Sequence, residues 1–208
     1  MTLVIKPEQR ALKMQAEKII VNALTASRIF LSIAFCYFLS AQPDNLPMIT
    51  LLFFAIVASD LSDGKLARRF SVCTAAGAAL DVFADLFFIL SSGIVLIAQN
   101  VFPFWILAVI LGNFFVFLAT SFLLKARGEN PSGPFFFDRL GRIVSASFYG
   151  VPFLTVLLND AFPPQLALNV IDGVGILLAS GAAVSAYSRI KRSLNILSKY
   201  SKKEQINT

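Results

Sequence analysis

Long apolar runs and short polar breaks alternate along this chain, and the runs are too long for ordinary soluble helices. Apolar stretches occupy 24–41, 47–66, 75–98, 103–124, 140–159 and 165–188. Each is close to the ~20 residues a helix needs to cross a bilayer. The breaks fall at Gln42–Asn45, Ala67–Ser71, Gln99–Asn100 with Pro103, Arg127–Pro134 and Pro163–Pro164. Each is a cluster of Pro, Gly, Asn or charge, as turns require. Residues 6–18 differ, with Leu12 among mixed charges, and read as an amphipathic helix at the membrane interface. The pattern predicts an all-α polytopic membrane protein, with six transmembrane helices after an N-terminal amphipathic interfacial helix in residues 1–20. The spacing leaves no room for a second domain, so 1–208 is expected to be one membrane-embedded domain, with 191–208 a polar tail that frays.

Composition supports this. Of 208 residues, 57% are hydrophobic and only 14% charged, and mean hydropathy is +0.74. A soluble domain carries about 25% charged residues, so the figures argue against a water-soluble fold. Cys36 lies in an apolar run and Cys73 in a basic loop, too few for a disulfide framework or a zinc site. Both are expected to be small unpaired residues. The charged N-terminus has no small-residue cleavage site after a short apolar core, so no cleaved leader is expected.

The net charge of +6 would suggest nucleic acid in a soluble protein. Here the position of the cations suggests topology instead. Lys6, Arg10, Lys13, Lys18 and Arg28 precede or open helix 1. Lys65, Arg68 and Arg69 lie between helices 2 and 3. Lys125, Arg127, Arg139 and Arg142 lie between helices 4 and 5, and Arg189, Lys191, Arg192, Lys199, Lys202 and Lys203 follow helix 6. These are all 18 Lys and Arg of the chain, and the other loops have none. With six helices, every basic segment falls on one side. The positive-inside rule makes that side cytoplasmic, with both termini inside.

Charges within membrane helices are costly and usually functional. Here they concentrate in Asp60-Leu-Ser-Asp63-Gly64-Lys-Leu-Ala67-Arg68, followed by Gly77, Asp81 and Asp85. Asp60 and Asp63 are three apart at the inner end of helix 2, and Asp81 and Asp85 four apart near the start of helix 3, so each pair shares a helical face. A short basic connection makes the two helices antiparallel neighbours. Four carboxylates then converge near the cytoplasmic interface, where they would repel one another unless a cation joins them. Oxygen-only ligands without His favour Mg²⁺ or Mn²⁺, with Ca²⁺ as a substitute or inhibitor. One ion needs fewer carboxylates. Four suggest two ions, or one ion and a spare base, and both suit phosphoryl-type displacement. Gly64 and Gly77 let a ligand approach the backbone, Ala67 leaves that face uncrowded, and Arg68 offers a phosphate fork.

The stretch resembles the signature of the CDP-alcohol phosphotransferase (CDP-alcohol phosphatidyltransferase) family, D-x2-D-G-x2-A-R-x8-G-x3-D-x3-D. All eight fixed positions match: Asp60, Asp63, Gly64, Ala67, Arg68, Gly77, Asp81 and Asp85. Asn22-Ala23-Leu24-Thr25-x-x-Arg28 is also similar to the segment that opens helix 1 in the family, with Val21 in place of the usual Pro. The resemblance implies transfer of a phosphatidyl group from a CDP-linked lipid such as CDP-diacylglycerol to an alcohol, releasing CMP. By similarity, Asp60, Asp63, Asp81 and Asp85 would ligate the metals and Asp85 would be the general base. Gly64, Ala67, Arg68, Gly77 and Thr25 would hold the CDP-lipid.

The signature leaves the acceptor open. Lys125 and Arg127 end helix 4, Arg139 and Arg142 open helix 5, and Arg189 ends helix 6. A positive pocket made of these suits an acceptor that carries phosphate, and the Lys-Ala-Arg and Asp-Arg-x-x-Arg strings resemble segments of inositol-phosphate-using members. Glycerol 3-phosphate is the other phosphorylated acceptor. Alternatively these cations snorkel and bind anionic lipid heads. Asp172 is expected to have a hydrogen-bonded structural role or to make a polar contact in the outer leaflet, rather than to act in catalysis. Gly173, Gly175 and Gly181 would allow close helix packing, within the chain or in a homodimer. The competing readings are a six-helix ion or solute transporter, or a catalytically silent membrane scaffold.

Overall fold

Helix starts follow local chemistry. Pro7 and Pro164 occupy first-turn positions, where the missing N–H costs no hydrogen bond. Asn45 Oδ1 accepts from Met48 N at 3.3 Å, capping the second helix. In the computed structural model these signals give α1 (Pro7–Ala41), α2 (Leu46–Phe70), α3 (Ala75–Ala98), α4 (Phe104–Ala126), α5 (Arg139–Ala161) and α6 (Pro164–Ile206). The structure describes residues 7–70, 75–126 and 139–206, and at several helix ends only the backbone. Among the described residues there is no strand. Asn100 closes α3 at φ 60°, a left-handed conformation that Asn tolerates.

The all-α expectation holds, with differences at three helices. The interfacial helix and the first span form one continuous α1, because Ile19–Ala23 contains neither Pro nor Gly. The tail does not begin as coil at Lys191: α6 continues to Ile206, through a segment that also lacks Pro and Gly. Five stretches are long and apolar enough to cross a membrane: Asn22–Ala41, Ala79–Ala98, Phe104–Phe122, Ile143–Ala161 and Pro164–Lys191. In α2 the apolar stretch among the described residues is shorter, Leu46–Ser62. That is about 26 Å of helix against a hydrocarbon core of about 30 Å. The acids and cations that shorten it belong to the signature.

The surface has the character of a membrane protein. Phe30, Phe104 and Leu177 are 73%, 73% and 71% exposed, faces that need lipid. Helix hydroxyls turn back onto their own helix. Ser92 Oγ donates to Phe88 O, Thr120 Oγ1 to Val116 O and Thr155 Oγ1 to Val151 O, at 2.6–3.0 Å. This satisfies them without water.

The helices form two compact units, Met1–Leu96 and Ile97–Thr208. In the first, Phe88 of α3 packs against Phe35 of α1 and Phe53 of α2, with ring centroids 5.3 and 6.3 Å apart. In the second, Trp105 and Ile106 of α4 lie against α6, and Phe117 lies further along against Arg189. α4 and α6 therefore run parallel. Trp105 Nε1 donates to Asp172 Oδ1 at 2.9 Å, the structural role expected of that acid. The glycines of α6 are not equivalent. A Cβ at Gly175 would lie 2.5 Å from Ile106 Cδ1 and 2.7 Å from Trp105 Cη2, whereas one at Gly173 meets nothing within 4 Å. Gly175→Ala should therefore lower the melting temperature of the purified protein, at an overpacking cost of about 1–3 kcal/mol. Gly173→Ala should leave it unchanged, and equal effects would show that the α4–α6 contact is not tight.

Candidate functional site

One end of the first unit brings charge from three helices together. Asp81 and Asp85 are one turn apart on α3 and share a face. Asp60 lies near the end of the apolar part of α2, and α2 runs antiparallel to α3, so Asp60 meets them. One carboxylate oxygen from each of Asp60, Asp81 and Asp85 falls within 4.8 Å of the others. Arg28 of α1 points into the middle of the three. Its Nη2 is 2.9 Å from Asp60 Oδ1. Its Nη1 is shared between Asp81 Oδ1 at 2.9 Å and Asp85 Oδ1 at 2.7 Å. The Arg28 side chain is fully buried, while the three aspartates are 36%, 43% and 37% exposed. The cluster thus has a sealed side, filled by the guanidinium, and an accessible side of carboxylate.

Neighbouring contacts hold Arg28 in place. Ser32 Oγ donates to Arg28 O at 2.7 Å, and Ser59 Oγ of α2 reaches Leu24 O of α1 at 3.3 Å. Thr25 is buried one turn before Arg28. The Phe35–Phe53–Phe88 cluster closes the apolar side. Water is kept from that side, which strengthens the charge-assisted bonds.

The residues fit a divalent ion. The donors are all carboxylate oxygens, the set that hard cations prefer. The cluster also already draws a cation into its midst, which acids held apart by solvent would not. One guanidinium does not balance three carboxylates. Two negative charges remain, the charge of one divalent ion.

The other expected site residues are placed less fully. Asp63, Gly64, Ala67 and Arg68 follow Asp60 on α2, but their side chains lie outside the description. Gly77 is half-buried in the first turn of α3. Lys125 is on α4 and Arg139 and Arg142 are on α5, also with side chains outside the description, and Arg127 and Cys73 fall outside the described residues. Cys36 is a free thiol. Arg189 is described in the second unit, where it is buried with its guanidinium 5.0 Å from the Phe117 ring centroid, a cation–π geometry.

Sequence reading assigned Arg28 to topology and to a family segment, and missed it as a partner of the aspartates. A signal was present. Arg28 is followed by Ile29, Phe30 and Leu31 and lies inside the span Asn22–Ala41, where a lone cation needs a partner.

A model of the family described as CDP-alcohol phosphatidyltransferase matches residues 18–185. That stretch includes Arg28, all four signature aspartates and the first half of α6. No curated protein and no solved structure matches the chain.

If the cluster holds an ion, removing one ligand should weaken it sharply. Asp60→Asn and Asp81→Asn should each reduce Mn²⁺ affinity of the purified protein, read by electron paramagnetic resonance, by about tenfold or more, since lost ordering partners alone cost about 10–100-fold. Wild-type affinity in both variants would remove these residues from the ligand set.

Proposed function

Because the chain belongs to the CDP-alcohol phosphatidyltransferase family, we propose that it transfers a phosphatidyl group from CDP-diacylglycerol, or a related CDP-lipid, to the hydroxyl of a small polar alcohol. The family is a transferase family of phospholipid head-group synthesis, and the five apolar spans place the chain in a membrane. The observation that carries the reading is the convergence of Asp60, Asp81 and Asp85 within 4.8 Å, with the spacing of the full signature.

Asp60, Asp63, Asp81 and Asp85 would hold Mg²⁺ or Mn²⁺, in the two-ion form the four acids suggest. The ions would neutralise phosphate charge and make CMP a better leaving group. Gly64, Ala67, Arg68, Gly77 and Thr25 would hold the cytidine and diphosphate. Asp85 takes the proton from the acceptor hydroxyl. The acceptor oxygen then bonds to the lipid-side phosphorus, the bond from that phosphorus to the bridging oxygen breaks, and CMP departs with the electron pair. The site faces the cytoplasm in this reading, because the signature lies beside a basic loop.

The acceptor we assign is a phosphorylated polyol, an inositol phosphate or glycerol 3-phosphate. What supports it is the cation set Lys125, Arg127, Arg139, Arg142 and Arg189, since phosphate prefers paired guanidinium donors. A homodimer remains compatible with the small-residue face of α6 at Gly173, where a Cβ meets nothing within 4 Å.

Three measurements test the proposal. CMP release from CDP-diacylglycerol, assayed over a panel of acceptors, should require Mg²⁺ or Mn²⁺ and stop with chelator, and no release with any acceptor would favour a transporter or scaffold. Asp85→Asn should abolish transfer, by about 10²-fold or more as for loss of a general base, yet retain CDP-lipid binding. Arg142→Ala should raise the acceptor KM much more than the CDP-lipid KM, while equal effects would return Arg142 to lipid contact and topology.

A further inference from the structure

Arg28 occupies the place where a cation among three carboxylates belongs, and the signature gives it no part. It lies 32 or more positions from every acid it meets. Its side chain is fully buried, and its two terminal nitrogens bond to Asp60, Asp81 and Asp85 at 2.7–2.9 Å. Each aspartate commits Oδ1 to it, and over a third of each aspartate side chain stays accessible. The same three residues each offer a carboxylate oxygen within 4.8 Å of the others as a candidate ligand set. A guanidinium and a divalent ion cannot both take the full set, because they repel each other and draw on the same lone pairs.

We propose that Arg28 is a positioning residue, an internal counter-cation that holds the three aspartates together across α1, α2 and α3 and that competes with a divalent ion for them. The proposal rests on the reading of Asp60, Asp81 and Asp85 as metal ligands. Without an ion, the guanidinium fork satisfies one oxygen of each carboxylate and keeps three helices in register. When an ion binds, Arg28 gives up part of this set. The freed N–H donors remain beside the site, on the sealed side, where the next anion to arrive is a phosphate group. Lysine would fill this role less well. Its ammonium is a point charge, whereas the three contacts here use two separate nitrogens of a planar fork.

A merely structural Arg28 and a competing Arg28 predict different things. If it is structural, its removal lowers stability by the same amount with and without metal and does not tighten the ion. If it competes, its removal exposes like charges that only an ion can then bridge, so the stabilising effect of the ion grows.

The experiment uses the full chain, purified in Mn²⁺ and then titrated after chelation. The variants are wild type, Arg28→Gln and Arg28→Lys. Mn²⁺ affinity is read by electron paramagnetic resonance, and melting temperature is read in chelator and in saturating Mn²⁺. Arg28→Gln should bind Mn²⁺ about tenfold more tightly than wild type, the scale of one lost set of charged hydrogen bonds. Its rise in melting temperature on adding Mn²⁺ should exceed that of wild type. Arg28→Lys should fall between the two. If Arg28→Gln does not survive chelation, that loss, absent in Mn²⁺, also supports the proposal, and Arg28→Lys supplies the affinities. Weaker or unchanged Mn²⁺ binding in the variants, beside clear binding by wild type, overturns the role of Arg28 alone. No Mn²⁺ binding by wild type overturns the metal-site reading as well.

Discussion

The contact between one buried guanidinium and three aspartates sets the arrangement of α1, α2 and α3. An arginine inside a membrane span is unfavourable unless it is paired, and three carboxylates at one helix end repel unless a cation joins them. Each side resolves the other only if α1 delivers Arg28 to the depth where Asp60, Asp81 and Asp85 meet. Ser59 on Leu24 and Phe88 on Phe35 and Phe53 are contacts above and below that point. Removing one partner of a buried ion pair costs about 3–5 kcal/mol. Because the aspartates are more than a third exposed, screening brings the figure here below that range.

The same constraint bears on α2, whose described apolar stretch is shorter than the five spans. It carries Asp60, Asp63, Lys65, Arg68 and Arg69 within its last turns. A helix chosen only for spanning would avoid them. α2 gives up hydrocarbon length where the site needs charge, as Asp60 stands within its apolar stretch and meets Asp81 and Asp85. The other helices keep apolar faces outward and turn hydroxyls such as those of Ser92, Thr120 and Thr155 back onto their own carbonyls.

In the second unit, steric fit takes the place of charge as the organiser. Gly175 admits Trp105 and Ile106 against α6, and the indole N–H then reaches Asp172. A Cβ at this position would stand 2.7 Å from Trp105 Cη2 and displace the ring that makes that bond. The small residue and the half-buried acid are thus one device.

The sequence by itself determined the helical class, most boundaries to within a few residues and the acid cluster. Apolar run length and the three- and four-residue spacing of acids are local properties, and helix geometry turns them directly into spans and faces. The continuity of α1 and the length of α6 were legible too, from the lack of Pro and Gly, but polarity drew attention away from it. Tertiary structure alone decided which cation meets the acids. Arg28, Lys65, Arg68 and Arg69 are equal candidates by charge, and nothing local to Arg28 names a partner on α3, 53 and 57 residues away. It decided likewise that Gly175, rather than Gly173 two positions earlier, receives a neighbour. Such pairings depend on how helices cross and rotate against one another, a property of the packed whole that one-dimensional spacing does not encode.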